Sequence, residues 1–372
     1  MKIFVDRTAL RSRGAGRGSY GLSVRSHNKK RLALAVGLAA VLLLTSAAYV
    51  FADDTSSPFI VAEPDAIPKP NNKAANVDIT ISFAGDTTLG NNVGKSFFVD
   101  TYREKGAGWF FGDVKKVFSK DDLTVVNLEG ALTNSSQHIS KPGSRVFYFR
   151  GSPKYTDILK KGSVEICNIA NNHSMDYGSK GYKDTKNALK KADIRYYGGD
   201  SVTVSKVKGV KIGFVGVQFT SSESTIKSLI QKTKKKGAEI IIFTSHDGTE
   251  GSYRPTARQK AAAKAAINAG ADAAIFHHPH VIQGTETYKG KFIAWSLGNF
   301  CFGGNSNPSD KDTMIVQLKI TKSGKKITIT PKVIPARISS HDGYNDLRPK
   351  IAKDKTKSRI AKKIKQISGD YL

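Results

Sequence analysis

Short apolar runs alternate with longer stretches of helical periodicity from about residue 77 onward. The runs have the length and the β-branched and aromatic content of strands, and they read VDITISFAGD, LTVVNLEG, VEICNIANNH, IRYYGGD, VKIGFVGVQ, AEIIIFTSHDG, ADAAIFHHPH, KFIAWSLGNF, MIVQLKI and KKITITPKVI. Between them, PTARQKAAAKAAINAG predicts a helix with Pro255 in its first turn and Gly270 at its end. This alternation predicts an α/β fold. The SGKK turn between the last two runs predicts that they pair antiparallel.

One segment near the N-terminus has a different pattern, apolar throughout. Residues 32–51 are uncharged, and as a helix they would span about 30 Å, the thickness of a bilayer core, so they predict a transmembrane helix. The basic leader, residues 1–31, holds nine Lys and Arg against one Asp, which predicts a cytoplasmic N-terminus and a single-pass membrane protein. The alternative is a cleaved signal peptide, because Val50-Phe51-Ala52 resembles a cleavage site. Both alternatives place the main domain outside the cytoplasm.

The rest of the chain divides into three regions. Residues 52–76 hold four prolines with Ser, Asn and Asp, which is typical of a linker. Residues 77–340 form the predicted folded domain, and residues 341–372 form a basic C-terminal tail. Isoleucines recur at helical spacing between the lysines of SRIAKKIKQISGDYL in this tail. They predict either a terminal helix packed on the domain or a helix lying on a membrane surface.

The charge of the chain indicates an acidic partner. Lys and Arg number 59 against 31 Asp and Glu, a net charge of +28. No zinc-finger, helix-turn-helix or RNA-binding signature accompanies this charge, so nucleic acid is a poor candidate. Anionic lipid headgroups, wall polymers or an acidic product fit equally well. The two cysteines, Cys167 and Cys301, lie in apolar runs, which predicts buried, inert thiols, with a disulfide or a functional thiol as the alternatives.

Several of the apolar runs end in side chains that can bind a metal. The carboxyl ends of strands in an open α/β sheet meet in one crevice, so we expect these side chains to share a site. Carboxylate, amide and imidazole donors without thiolate suit Mn, Fe or Zn. Each residue alone also fits a hydrogen-bonded structural role or a turn. The residues at the strand ends are Asp86, Glu129, Asn172, His173, His246, His278 and His280.

Two local features refine this predicted metal site. In the sequence His277-His278-Pro279-His280, extended backbone would project His278 and His280 to one side and His277 to the other. A carboxylate such as Glu129 can bridge two cations in sites that act on phosphorus. The sequence therefore predicts a divalent metal site of one or two ions.

Five stretches of the chain, in order, resemble the motifs of the CapA/PgsA family of bacterial capsule and poly-γ-glutamate biosynthesis proteins. They are FAGDTTLG, VVNLEGALT, ANNHSMDYG, SHDGTE and GADAAIFHHPHVIQGTETYKGKFIAWSLGNFCF, and they span about residues 77–303. That family is similar to the calcineurin-like metallophosphoesterases. The resemblance therefore implies a four-layered β-sandwich flanked by helices.

The resemblance also implies roles for the residues at the strand ends. It places Asp86 and His280 on one metal, with Glu129 as the bridge to a second metal. The second metal would be held by Asn172, His246 and His278. His173 would be the general acid, oriented by Asp176.

The chain departs from the phosphoesterase pattern at several positions. Thr88 stands where that pattern has a histidine, and Glu129 stands where it has an aspartate. His277 replaces a glycine, and Glu250 lacks the aromatic residue that usually follows it, for which Tyr253 is a candidate substitute. The first metal would therefore have fewer ligands than in a two-metal phosphoesterase.

Three functions fit these features. The first is a membrane-anchored, outward-facing protein of capsule or poly-γ-glutamate biosynthesis or export, with the anionic polymer and capsule synthase or export subunits as partners. The second is a metal-dependent phosphoester or amide hydrolase of the cell envelope. The third is a non-catalytic polymer-binding module.

Overall fold

The computed structural model describes residues 76–144, 146–369 and 371. The predicted transmembrane helix, residues 32–51, and the basic leader lie outside the described residues. Among the helices within the ranges just given, none combines the length and the apolar character needed to span a bilayer.

The strands confirm the α/β class predicted from the apolar runs. In chain order they are β1 (Val77–Thr88), β2 (Asn91–Asn92), β3 (Leu123–Leu128), β4 (Ala131–Leu132), β5 (Phe149–Gly151), β6 (Ile166–Asn168), β7 (Arg195–Tyr197), β8 (Thr203–Val207), β9 (Val210–Gln218), β10 (Ile240–His246), β11 (Ala273–His277), β12 (Ile282–Tyr288), β13 (Lys291–Leu297), β14 (Asn299–Phe302), β15 (Asp312–Ser323), β16 (Lys326–Arg337) and β17 (Lys350–Ile351).

Seven α-helices connect or follow these strands in the described part of the chain. They are α1 (Phe97–Lys105), α2 (Lys115–Phe118), α3 (Thr156–Lys161), α4 (Gly178–Lys191), α5 (Glu223–Lys235), α6 (Ala257–Ala269) and α7 (Asp354–Gln366). The predicted alanine-rich helix is α6. Thr256 and Gln259 form a capping box at its N-terminus, and Gly270 ends it in the left-handed conformation. Pro255 precedes the cap and lies outside the first turn.

The strands form two large mixed sheets and one small one. The first large sheet has the order β17-β16-β15-β1-β3-β6-β7, with β14 also paired to β1, and the second has the order β12-β13-β11-β10-β9-β8. β2, β5 and β4 form the small sheet. The predicted antiparallel pairing of the last two long strands, β15 and β16, is confirmed.

Alternating side chains of the large sheets face different layers, as the period-2 geometry of a strand requires. Along β10, Ile240 and Ile242 pack between the two large sheets, whereas Ile241 and Phe243 pack against α5 and α6. On the first sheet, the outer apolar cluster instead joins α1, α3 and α4. The result is two sheets packed face to face with helices on both outer faces.

The two cysteines are buried free thiols, so the disulfide alternative is wrong. Cys167 and Cys301 are both fully buried in the outer cluster of the first sheet. Burial raises the pKa of each thiol, which keeps both protonated and unreactive at neutral pH.

The C-terminal helix α7 packs its apolar face on the domain. Ile360 and Ile364 are buried in the cluster between the large sheets, and Ile367 packs against it. Arg359 makes two hydrogen bonds to Asp312 that hold the polar side of the helix to the start of β15.

We expect Ile360→Ala to lower the free energy of unfolding by about 2–4 kcal/mol, because it opens a cavity at a fully buried site. Urea unfolding measures this change. Ile139→Ala is the matched control, since Ile139 is exposed, and its effect should stay within about 0.5 kcal/mol. Equal effects of the two substitutions would show that α7 does not dock in solution as it does here.

Candidate metal centre

The predicted site residues gather where the carboxyl ends of parallel strands from both large sheets meet. β1, β3 and β6 run parallel in the first sheet, and β9, β10 and β11 run parallel in the second. Asp86 lies near the end of β1, Glu129 follows β3, and His246 is the last residue of β10. Side chains from two sheets therefore converge on one edge of the fold.

Glu129 is the centre of this cluster. Its side chain is fully buried, and neither carboxylate oxygen has a hydrogen-bond partner among the described residues. Three imidazole Nε2 atoms surround Oε1: that of His246 at 3.6 Å, and those of His173 and His280 at 3.8 Å. These distances are too long for hydrogen bonds. A buried carboxylate without partners is unfavourable unless a cation compensates its charge, so this arrangement fits a metal ligand.

Asp86 is held at the same edge by donors from both sheets. Its Oδ1 accepts a hydrogen bond from Asn127 Nδ2 at 2.8 Å, and its Oδ2 accepts one from the backbone N–H of His278 at 3.2 Å. His280 Nδ1 lies 3.3 Å from Oδ2. Asp86, Glu129 and His280 thus form one group whose ligand atoms all lie within 4.8 Å of one another.

Two members of the second predicted set, His246 and His278, lie beside the first. His246 Nε2 and His278 Nδ1 are 3.1 Å apart, close to the roughly 3.3 Å between two ligands of a tetrahedral cation with bonds of about 2.0 Å. Asn172 Oδ1 is buried and has no hydrogen-bond partner within residues 76–144, 146–369 and 371. A second group of ligand atoms within 4.8 Å joins His278 and His280 to Glu250. The donor set therefore fits a divalent metal in composition and in spacing.

Glycine is required where Asp86 is positioned. At Gly85 a Cβ atom would lie 2.0 Å from the carbonyl oxygen of Gly298. That close approach allows the Asp86 N–H to donate to the same carbonyl at 2.9 Å. The FAGD sequence therefore fixes the first carboxylate by a backbone contact that no larger residue permits.

The turn after β11 differs from the extended backbone that we predicted. His278 and His280 have φ angles of 98° and 58°, in the left-handed region, which is strained for residues other than glycine. All three histidines therefore lie around Asp86, with His277 Nδ1 3.6 Å from its Oδ1. The prediction that His277 projects away from the site is wrong, because it assumed that the strand continues past residue 277.

His173 is oriented by its neighbours. Its Nδ1 lies 2.7 Å from Asp176 Oδ2, and its ring stacks on Phe149 with 4.0 Å between centroids. Asp176 Oδ2 also accepts the backbone N–H of Phe149 at 2.7 Å, and Lys141 forms an ion pair with Oδ1. His173 therefore has a fixed ring plane, and its Nε2 points toward Glu129.

A family model describes the chain from residue 80 to residue 304 as a bacterial capsule synthesis protein, PGA_cap. The chain belongs to this family. The capsule biosynthesis protein CapA of Bacillus anthracis is 28% identical over 316 residues, covering 77% of this chain and 75% of that protein. The PGA biosynthesis protein CapA of Bacillus subtilis is 31% identical over 277 residues, covering 68% and 71%. The predicted family is therefore confirmed.

Two solved structures have a lower similarity. TT1561 of Thermus thermophilus matches with a TM-score of 0.38 and 9% identity, over 68% of this chain and 99% of that one. Vps29 of Chaetomium thermophilum matches with a TM-score of 0.25 and 10% identity, over 74% and 98%.

The ionisation of the PGA_cap site follows from burial and from mutual contact. Burial raises the pKa of Glu129 well above its usual value, and the neighbouring imidazole of His280 offsets this only in part. For His280, burial opposes the charged form, but the Glu129 and Asp86 carboxylates raise its pKa to about 10. Burial would raise the pKa of Asp86, but the hydrogen bond and charge of His280 lower it instead. Burial of Glu129 and the carboxylates around His280 therefore both favour binding of protons in the absence of a metal.

Metal binding should therefore release protons. The pKa of His280 is about 10, so its imidazole holds a proton at neutral pH without metal, and burial of Glu129 favours its protonated form. A metal that binds these two residues competes with their protons. We expect the affinity to rise with pH between about 6 and 8, with about one to two protons released. Calorimetric titration of the metal in buffers of different ionisation enthalpy measures this number. An affinity independent of pH would contradict the assignment of these two residues.

Residues outside the predicted set complete the site in this PGA_cap protein. Asn127 and Asn168 are buried at the ends of β3 and β6, and Asn168 Nδ2 donates to Asn127 Oδ1 at 2.9 Å. Asn127 in turn contacts both Asp86 and His246. Both residues could have been predicted from the sequence, because each is a polar residue at or next to the last position of a buried strand. Glu250 lies in SHDGTE, four residues after the end of β10 at His246. The strand-end pattern therefore could not predict that it lies near His278 and His280.

Proposed function

We propose that this protein is a membrane-anchored, extracytoplasmic PGA_cap protein that handles an anionic polymer such as poly-γ-glutamate during capsule biosynthesis or export, with a divalent metal at its centre. The observation that supports a metal is the environment of Glu129. Its carboxylate is fully buried, is surrounded by three imidazoles, and has no hydrogen-bond partner among the residues that the structure describes. Family membership supports the proposed role with an anionic polymer, since two relatives are named for capsule and PGA biosynthesis. The metallophosphoesterase-like fold that the family resemblance implies would accommodate both features.

The anchoring rests on the sequence of the N-terminal region. Residues 32–51 would cross the membrane once and leave residues 77–372 outside the cytoplasm. Most of the net charge of +28 belongs to residues beyond the basic leader. That excess favours a polyanion, whose counterions are released on binding. Capsule synthase or export subunits are the further partners that such an anchored protein would meet.

The residues that would hold Mn, Fe or Zn are those predicted from the strand ends, with Glu250 as a further candidate donor. Asp86, Glu129 and His280 would hold one ion; Asn172, His246 and His278 would hold a second, with Glu129 between the two. When bound, such a metal polarises a phosphoryl or carbonyl oxygen. Glu250 has a ligand atom within 4.8 Å of His278 and His280, so it would add a donor on their side.

A hydrolase is the second candidate function, and the contact between His173 and Asp176 favours it. With Nδ1–H donated to Asp176, the imidazole holds or accepts a proton at Nε2, which faces the metal centre. Phe149 fixes the plane of the ring. His173 would thus transfer a proton to the leaving group of a phosphoester or amide bond, as a general acid does.

Binding of poly-γ-glutamate to the purified full-length protein tests the proposed function. Co-sedimentation with the polymer at increasing salt should show binding at low ionic strength that weakens steeply as salt rises. Neutral dextran of similar length is the control polymer. Absence of binding to poly-γ-glutamate at low salt would contradict the proposal. Binding without any turnover would favour the non-catalytic polymer-binding module.

A further inference from the structure

A cavity separate from the metal centre lies beside the small sheet of β2, β5 and β4. Its volume is about 490 Å³, within the range of sites for small organic ligands. Polar, cationic and aromatic side chains form its wall, chiefly Asn91, Lys95, His138, Arg150, Tyr155 and Tyr177.

Strand β5 links this cavity to the metal centre. Phe149 stacks on His173, whereas the next residue, Arg150, lines the cavity. Consecutive side chains of a strand point to opposite faces, so β5 presents one side chain to each site. Gly90, the residue before β2, allows the chain to approach β5 closely, because a Cβ atom at Gly90 would lie 2.1 Å from the carbonyl oxygen of Arg150. A ligand in the cavity would therefore lie one strand away from the metal centre.

Asn91 supplies a buried donor without a partner in the wall of this cavity. It pairs with Arg150 in the register of β2 and β5, and only 6% of it is exposed. Its Oδ1 accepts a hydrogen bond from the Val99 N–H at 3.2 Å, but its Nδ2 has no acceptor in the part of the chain that the structure describes. A buried amide donor without a partner is unfavourable. A ligand that brings an oxygen acceptor would relieve it.

The charges around the cavity select an acidic ligand. Arg150 lies over the Tyr177 ring, 5.4 Å from its centroid, and Lys95 lines the same wall. No Asp or Glu is among the described residues that line the cavity. Guanidinium groups bind carboxylates with paired, charge-assisted hydrogen bonds.

We propose that this cavity binds a glutamyl segment of the acidic polymer. Side-chain or main-chain carboxylates would face Arg150 and Lys95, and a carboxylate or amide oxygen would accept from Asn91 Nδ2. This inference rests on the proposed function, because it takes the ligand to be an acidic polypeptide chain. It adds a site that holds the chain next to the metal centre.

Fluorescence anisotropy of a labelled γ-linked glutamate hexamer with the full-length protein tests the cavity. Asn91→Asp keeps the acceptor for Val99 but removes the free donor and adds a negative charge, and Arg150→Gln removes the guanidinium. We expect each variant to bind the hexamer at least about tenfold more weakly. The matched controls are Asn268→Asp and Arg195→Gln, whose side chains are exposed outside the cavity, and both should bind like the wild type.

The outcomes separate the cavity from the proposed function. If the wild type binds poly-γ-glutamate but both cavity variants bind the hexamer as tightly as the wild type, the cavity assignment alone is overturned. If the wild type binds neither, the proposed function and the cavity assignment both fail. Equal binding of a glutamine hexamer would overturn the selection of acidic ligands. Unchanged metal content and thermal midpoint in Arg150→Gln exclude misfolding as the cause of a loss.

Discussion

Glu129→Gln is expected to reduce metal affinity by at least about a hundredfold. The carboxylate faces three imidazole Nε2 atoms and has no hydrogen-bond partner in the described part of the chain. Glutamine keeps the shape of the side chain but removes the charge that a divalent ion requires. Elemental analysis of the purified variant, together with calorimetric titration of Mn²⁺ and Zn²⁺, measures the loss.

Glu165→Gln provides the matched control. Glu165 immediately precedes β6, at the end of the strand opposite the metal centre, and accepts a hydrogen bond from the Thr124 N–H at 2.7 Å. A glutamine carbonyl can accept the same bond, so this variant should keep the metal content of the wild type. Equal metal content in the Glu129 and Glu165 variants would remove Glu129 from the site.

His173→Asn is expected to keep its metal and to lower turnover by about 10²–10⁴-fold, the range for loss of a general acid or base. The His173 ring contacts Asp176 through Nδ1 and faces Glu129 through Nε2. Asparagine has no ring nitrogen that could transfer a proton at the position of Nε2. Release of new chain ends from poly-γ-glutamate, and of phosphate from model phosphoesters, measures turnover. Metal analysis of the same preparation separates the chemical step from metal loss.

His341→Asn is the control for this substitution, because His341 is exposed, stacks on Tyr344 and lies 3.9 Å from Asp346, away from the predicted site residues. Its turnover should match that of the wild type. Unchanged turnover in His173→Asn would exclude His173 as the proton donor. A wild-type protein that holds metal but cleaves neither substrate would identify the polymer-binding module as the function.

That polar side chains from several strand ends meet at one place could be predicted because strand ends carry their own signal; their role as metal ligands stays a prediction. A buried strand such as IIIFTSH has no local reason to end in a histidine, and the same conflict recurs at Asp86 and Glu129. Parallel pairing then brings such ends together whatever their separation in sequence. The α/β class followed from the same apolar runs, since their length and spacing reflect burial on both faces.

The local backbone of the site could not be predicted from these patterns. The left-handed conformations of His278 and His280 are stabilised by tertiary contacts, such as the hydrogen bond from the His278 N–H to Asp86, and residue type alone disfavours them. The contacts of Asn127 also depend on its neighbours, because it lies beside Asp86 on one side and Asn168 on the other. Sequence patterns define the faces of a strand, but not which side chains meet across two sheets.

Anomalous scattering from crystals grown with Mn²⁺, measured on both sides of the manganese absorption edge, tests the central claim most directly. We predict a peak at the edge where the two sheets meet, within about 2.0–2.3 Å of donor atoms from Glu129 and from His280 or His246. Crystals that contain manganese but show no peak within bonding distance of any of these residues would contradict the account.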